Sequence, residues 1–111
     1  MRVNFLKNIK KVADACTFEV CGFICENKLF FIKNGAQDVK STFLIPPRYY
    51  FDKIENISCV FHSHPTGGAA LSDDDIYSAQ EAAIPNMVYS VENREFCFYD
   101  PKVKKSIYFS L

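Results

Sequence analysis

Apolar residues recur along the chain with two periods, and each period predicts a different secondary structure. In the first segment, apolar side chains fall on one helical face and lysines on the other, which predicts a helix that ends at about Ala15. Phe18 to Cys25 is apolar and β-prone around Gly22, and Leu29 to Ile32 follows after a polar stretch. These two runs predict a β-hairpin.

The rest of the chain continues to alternate between strand and helix patterns. A short strand is predicted at Ser41 to Ile45, and Pro47 suits the first turn of a second helix. Ile57 to Phe61 is typical of a buried strand. A third helix is predicted from Ser72 to about Ala83, because a helix rarely continues into a residue such as Pro85. Three final strands are predicted at Met87 to Val91, Glu95 to Tyr99 and Ser106 to Phe109.

Length and composition indicate one globular domain, residues 1–111, with a single core. The chain is 49% apolar and contains 11 phenylalanines and 6 tyrosines, which excludes a disordered or fibrous segment. Its 13 basic and 13 acidic residues cancel, so the basic stripe of a nucleic-acid-binding protein is not expected. No signal-peptide pattern and no apolar run of membrane-spanning length is present, so a soluble protein is expected.

The cysteines indicate a reducing compartment. They are five in number and lack the C-x-x-C spacing, so we expect a cytoplasmic protein in which they are small core residues. A catalytic cysteine near the histidines is an alternative, but no cysteine has a sequence context that would activate its thiol. The five are Cys16, Cys21, Cys25, Cys59 and Cys97.

Both histidines of the chain lie in one short segment, Val60-Phe61-His62-Ser63-His64-Pro65. On an extended segment, residues two positions apart point to the same side. Imidazole is the commonest neutral zinc ligand, a carboxylate can complete a set of three protein ligands, and the fourth position is left for water. The pattern H-x-H-x7-S-x2-D therefore predicts a metal site that involves His62, His64, Ser72 and Asp75.

Ser72 also has a structural interpretation, because it precedes three aspartates. A serine hydroxyl caps the free amides at the start of a helix, and acidic residues suit the positive end of the helix dipole. The two interpretations do not conflict. A helix that begins at Ser72 places Asp75 in its first turn, where the carboxylate can turn back toward the histidines. Asp73 and Asp74 are then the dipole charges, although spacing alone leaves Asp74 open as a ligand.

A zinc hydrolase also needs a general base that takes a proton from water and returns it to the leaving amine. Glu19 is the strongest candidate, because it lies in the apolar stretch Phe18 to Cys25, where an acid without a function would be costly to bury. A simpler interpretation is an exposed residue at the start of a strand. The other glutamates fall in predicted turns or on polar faces: Glu26, Glu55, Glu81, Glu92 and Glu95.

Three separated segments together resemble the JAB1/MPN/Mov34 metalloprotease family, the JAMM zinc peptidases. They are Glu19-Val20-Cys21-Gly22-Phe23-Ile24, His62-Ser63-His64-Pro65 and Ser72-x-x-Asp75, in that order. Within the family, the chain looks most like the small prokaryotic and phage members, including the N-terminal domain of tail assembly proteins of the lambda K type. The implied fold is an α/β domain of the α+β type, with a mixed, mostly antiparallel sheet flanked by helices, like that of the cytidine deaminases.

The resemblance also implies roles for individual residues. Zn²⁺ would be bound by His62, His64 and Asp75 together with water. Glu19 would act as general acid and base, and Ser72 would stabilise the oxygen of the scissile carbonyl. The implied activity is that of a zinc metallopeptidase or isopeptidase that cleaves an amide bond in a protein, either a ubiquitin-like conjugate or a phage tail component.

Other functions remain open at this point. A metal-binding interaction module of phage tail assembly would keep the ligands without hydrolysing a substrate. A catalytically inactive scaffold would have lost ligands, and none is missing here. A relation to RadC-type proteins, which carry a similar His-x-His-Pro segment, would predict DNA processing, which the neutral charge does not support.

Overall fold

One six-stranded sheet organises the protein. The computed structural model describes residues 2–40, 42–45 and 54–111. Its helices and strands are α1 (Val3–Asp14), β1 (Cys21–Cys25), β2 (Lys28–Ile32), β3 (Ile57–His64), α2 (Asp73–Ala82), β4 (Asn86–Ser90), β5 (Glu95–Asp100) and β6 (Lys105–Phe109). The strand order is β2-β1-β3-β4-β5-β6; β3 and β4 are parallel, and the other neighbouring strands are antiparallel. The predicted class, an α+β fold with a mixed sheet flanked by helices, is confirmed.

The predicted hairpin is present, and its two strands are joined by a tight two-residue turn. Strands β1 and β2 are joined by Glu26 and Asn27 alone, and both residues have positive φ, 50° and 63°. Positive φ at both central residues is the signature of the two-residue turn that matches the twist of paired strands. Gly22 in β1 lies so close to the backbone of Phe30 that a Cβ atom there would clash with its carbonyl. Glycine is therefore required at position 22 for the hairpin to close.

The two sheet faces bury different residues because side chains alternate along each strand. Helix α1 buries Leu6, Ile9 and Ala13 against one face, together with Phe61 and Tyr89. Helix α2 lies on the side of the opposite face, and its residue Ala79 is buried. The core residues on that face are Cys21, Phe23, Cys25, Ile45, Ile57 and Ile84. Strand β1 is buried along its whole length, as its unbroken apolar run indicates.

Some predicted boundaries were wrong. Residues 42–45 do not form a strand, although Ser41 to Ile45 was predicted as one. Their backbone instead bonds to the segment around Asn34, whose side-chain oxygen accepts the N–H of Leu44. Strand β3 runs through His64, so both histidines lie within the strand and not beyond its end. The helix predicted from Pro47 falls mainly on residues 46–53, which lie outside the described residues.

None of the described helices is long and apolar enough to cross a membrane.

Candidate metal centre

Strand β3 brings the two histidine rings together on the side of the sheet that faces α2. Because residues 62 and 64 are two apart on a strand, their side chains point the same way. The Nε2 atoms of His62 and His64 lie 3.2 Å apart. Nδ1 of His64 lies 2.8 Å from the carbonyl oxygen of Gly68, which can only accept a hydrogen bond. Nδ1 of His64 therefore carries the proton, and the lone pair of neutral His64 is on Nε2, facing His62.

Asp75 reaches this pair because of how α2 begins. The Ser72 hydroxyl accepts a hydrogen bond from the N–H of Asp75 at 3.1 Å, and the N–H of Ser72 donates to Oδ2 of Asp75 at 3.0 Å. This reciprocal arrangement is a capping box. The same Oδ2 atom lies 3.5 Å from Nε2 of His62. The helix cap thus directs the carboxylate toward the histidine, and Ser72 joins the cluster through Asp75.

Glu19 lies just before β1 and is only 5% exposed. Its backbone is held on both sides: its N–H donates to the carbonyl of Val39, and its own carbonyl accepts from the Asn34 side chain. The next residue, Val20, donates its N–H to the Ser63 hydroxyl at 2.9 Å. One carboxylate oxygen of Glu19 and one ring nitrogen of each histidine all lie within 4.8 Å of one another.

The electrostatics of the cluster favour the neutral forms of Glu19 and His62. Burial, followed by the negative charges of Asp75 and Asp38, raises the pKa of Glu19 to about 7. Burial also lowers the pKa of His62; the charge of Asp75 opposes that effect, and His64 adds to it. The carboxylates of Glu19 and Asp75 repel one another, and a divalent cation between them and the histidine nitrogens would stabilise both. The donor set, two imidazole nitrogens with carboxylate oxygens, is one that suits zinc.

The sequence did not point to Phe43, although its ring stacks on that of His62. The ring centroids are 4.1 Å apart and the planes are inclined by 18°. The carbonyl of Gly68 orients the ring of His64. Gly67 before it has a φ of +85°, which explains why this turn carries a glycine. No spacing rule connects Phe43 with His62, so no sequence signal could have paired them.

Two buried cysteines, Cys21 and Cys59, are poorly suited to act as nucleophiles. All five lie in the described part of the chain and are free thiols. Burial raises the pKa of both Cys21 and Cys59 to about 12. A nucleophilic cysteine needs the opposite shift, because the thiolate is the reactive form.

Comparison with known proteins supports the fold and is limited to it. No family model and no curated protein sequence matches the chain. Among solved structures, it resembles a protein of Desulfitobacterium hafniense with a TM-score of 0.68 and 15% identity, covering 97% of this chain and 87% of that one. A JAB1/MPN domain protein of Archaeoglobus fulgidus matches with a TM-score of 0.61 and 15% identity, covering 96% and 92%. A protein of Salinibacter ruber matches with a TM-score of 0.56 and 18% identity, covering 99% and 88%. The chain therefore has a JAB1/MPN-like fold.

Proposed function

We propose that this protein is a zinc-dependent peptidase or isopeptidase of the JAMM type, which hydrolyses an amide bond in a protein substrate. The observation that carries the proposal is the convergence of the two Nε2 atoms, 3.2 Å apart, with the Asp75 carboxylate and the buried Glu19. A hydrolytic metal site needs ligands and a separate proton acceptor within reach of one another. This cluster contains both kinds of group.

His62, His64 and Asp75 would hold the zinc. The ring of His64 is already oriented by its bond to the Gly68 carbonyl, and the carboxylate of Asp75 by its bond from Ser72. Such bonds to ligands fix their orientation before the metal binds. When bound, zinc supplies Lewis-acid chemistry: it lowers the pKa of water to about 7 and polarises a carbonyl.

Glu19 is the proposed general acid and base. Its pKa of about 7 makes its carboxylate able to accept a proton near neutral pH and able to release it again. It would take the proton from the attacking water and pass it to the amine as the amide bond breaks. Without that proton the amine is too basic to leave.

Ser72 is the proposed donor to the oxygen of the substrate carbonyl. Its hydroxyl oxygen accepts the N–H of Asp75, so its own proton is available to a second partner. Ser72 also stands at the start of α2, where the helix dipole favours the negative charge that develops on that oxygen.

A second candidate function is that of a metal-binding interaction module, for example in phage tail assembly. One observation favours it: the carboxylate of Glu19 lies within the same 4.8 Å cluster as both histidines. If Glu19 and Asp75 both bound the metal, the site would have four protein ligands. Four protein ligands without an open position are typical of structural zinc sites.

The Glu19→Gln variant separates these functions. Wild type and variant are loaded with zinc and compared for metal content and for cleavage of a peptide, a ubiquitin-like conjugate and a tail-protein substrate. Under the enzyme proposal the variant keeps its zinc, and cleavage falls by about 10²–10⁴. A variant that loses its zinc would make Glu19 a ligand and favour the structural module. Equal cleavage by both proteins would remove Glu19 from the mechanism.

A further inference from the structure

Asn34 uses the whole hydrogen-bonding capacity of its side chain to join three segments. Its Nδ2 donates to the carbonyl oxygens of Glu19 at 2.9 Å and Thr42 at 2.8 Å. Its Oδ1 accepts the N–H groups of Ala36 at 2.9 Å and Leu44 at 3.0 Å. A side-chain amide has two donor hydrogens and two acceptor lone pairs, so all four are used. Such a fully bonded amide fixes the relative position of every backbone segment that it contacts.

The segment held in this way carries Phe43. Its neighbours on both sides, Thr42 and Leu44, are bonded to Asn34, and the carbonyl of Leu44 also accepts the N–H of Gly35 at 2.9 Å. The chain on either side of Phe43 is therefore fixed. The ring of Phe43 then stacks on His62 with the centroids 4.1 Å apart. Asn34 thus connects the backbone of Glu19 with the aromatic ring that covers His62.

The two histidines are oriented by different means. His64 is oriented by a hydrogen bond from its Nδ1 to the Gly68 carbonyl. His62 is 3% exposed, and the stacked ring of Phe43 covers one face of its imidazole. A contact that limits rotation of the imidazole keeps its Nε2 aimed at the cluster, which is the same task that the Gly68 carbonyl performs for His64.

We propose that Asn34 is a positioning residue for the metal centre, acting through Phe43 on His62 and through the backbone on Glu19. This inference rests on the proposed function for the identity of the metal, but its test is zinc affinity, which does not require cleavage. Residues that orient metal ligands typically contribute 10–100-fold to metal affinity or activity. A purely structural role would lower the stability of the fold and leave zinc affinity unchanged.

The test compares Asn34→Ala and Phe43→Leu with a matched control, Gln80→Ala. Gln80→Ala also removes a side-chain amide, one that donates a hydrogen bond to the hydroxyl of Tyr99 at 2.9 Å. Gln80 lies on the exposed part of α2. Zinc affinity is measured by competition with a chromophoric chelator, and thermal melting of each metal-free protein is recorded beside it. We expect Asn34→Ala and Phe43→Leu to weaken zinc binding about 10-fold. Gln80→Ala should leave zinc affinity unchanged even if its melting temperature falls.

A double variant tests the route through Phe43. If Asn34 acts on the metal through that ring, Asn34→Ala combined with Phe43→Leu should bind zinc about as weakly as the weaker single variant. Losses that multiply would show that Asn34 does not act through Phe43. Asn34→Asp keeps the oxygen that accepts from Ala36 and Leu44, but it replaces the donor to Glu19 and Thr42 with a second acceptor. Its zinc affinity should therefore fall at least as far as that of Asn34→Ala. This variant serves as the test protein if Asn34→Ala does not fold.

The outcomes separate this inference from the proposed function. Unchanged zinc affinity in folded Asn34→Ala or Asn34→Asp would overturn the positioning role and leave the peptidase proposal standing. Weakened zinc binding in Asn34→Ala, with no cleavage of any substrate by the wild type, would support the positioning role and count against the peptidase. A wild type that binds no zinc would overturn both.

Discussion

Two polar clusters lie against opposite faces of the sheet, and the pKa shifts of their groups have opposite senses. The tyrosine cluster consists of Lys10, Asp14 and Tyr89 on the face covered by α1. The Tyr89 hydroxyl donates to Oδ1 of Asp14 at 2.8 Å and accepts from Nζ of Lys10 at 2.9 Å, and Lys10 pairs with Oδ2 of Asp14 at 2.9 Å. Each charge of this cluster faces an opposite charge or a hydroxyl.

The histidine cluster is formed by Glu19, His62, His64 and Asp75. Its pKa shifts have the opposite sense to those of the tyrosine cluster. In the tyrosine cluster, hydrogen bonds to Tyr89 and Asp14 raise the pKa of Lys10. Burial acts to raise the pKa of Asp14, but bonds from Lys10 and Tyr89 outweigh it and hold the pKa below its usual value. Both shifts favour the charged forms. In the histidine cluster the shifts favour the neutral forms of Glu19 and His62.

The difference indicates what each cluster requires. A cluster whose members stabilise one another's charges is a structural feature that needs no further partner. A cluster in which burial and neighbouring charges favour neutral forms is of a kind that is common at functional sites. The two clusters therefore predict opposite responses to mutation.

The largest expected effect is the loss of zinc on removal of a ligand. We expect the wild type to bind about one zinc per chain and His62→Ala, His64→Ala and Asp75→Ala each to retain none after dialysis, because two ligands hold zinc weakly. Elemental analysis of the purified proteins measures this directly. Tyr89→Phe is the matched control, since it breaks the other cluster and should keep its zinc. Undiminished zinc in Asp75→Ala would contradict the ligand assignment and make Asp74 the next residue to test.

The second effect concerns Ser72, which contributes to both stability and the proposed chemistry. Ser72→Ala should keep its zinc but lose about 10²–10³ in turnover, the usual effect of removing one oxyanion contact. Loss of the helix cap should also lower the free energy of unfolding by about 1 kcal/mol. Turnover and denaturation are measured on the same sample. A variant that is less stable but fully active would leave Ser72 with the capping role alone.

The third effect is confined to the tyrosine cluster. Tyr89→Phe removes a buried hydroxyl that bonds to two charged groups, so the free energy of unfolding should fall by about 1.5 kcal/mol. Zinc content should not change. Urea denaturation of the metal-free proteins, together with elemental analysis of the loaded ones, measures both quantities. A loss of zinc in this variant would mean that the two clusters are coupled across the sheet.

The smallest effect is a pH dependence of the same cluster. Because the pKa of Asp14 is lowered in the folded protein, its carboxylate stabilises the fold above the pKa of the unfolded chain, and this contribution is lost as the pH falls through the folded pKa. The wild type should therefore be more stable than Asp14→Asn at neutral pH, and the difference should shrink in acid. Denaturation of both metal-free proteins at pH 7 and at about pH 2 tests this. A difference that stays constant would assign the stabilisation to the shape of the side chain and not to its charge.

Local geometry explains the parts of the candidate site that were predictable from the sequence. A strand side chain points to the same side as the one two residues later, so His62 and His64 were expected to act together. Ser72 was expected to cap a helix and to bring Asp75 into its first turn, and the capping box has this geometry. Glu19 could be selected because an acid is rare in an apolar run. Each inference involved residues of one short segment of the chain, where local geometry and burial follow general rules.

Only the tertiary structure decided how these segments meet. The antiparallel pairing of Cys21 with His62 brings the residues before β1, including Glu19, to the histidines. A strand was predicted at Ser41 to Ile45, but Asn34 bonds the backbone of residues 42–45 into a loop that places Phe43 over His62. These contacts join residues that are distant in the chain. Strand register, loop closure and side-chain hydrogen bonds determine these contacts together. The period or spacing of a single segment predicts none of the three.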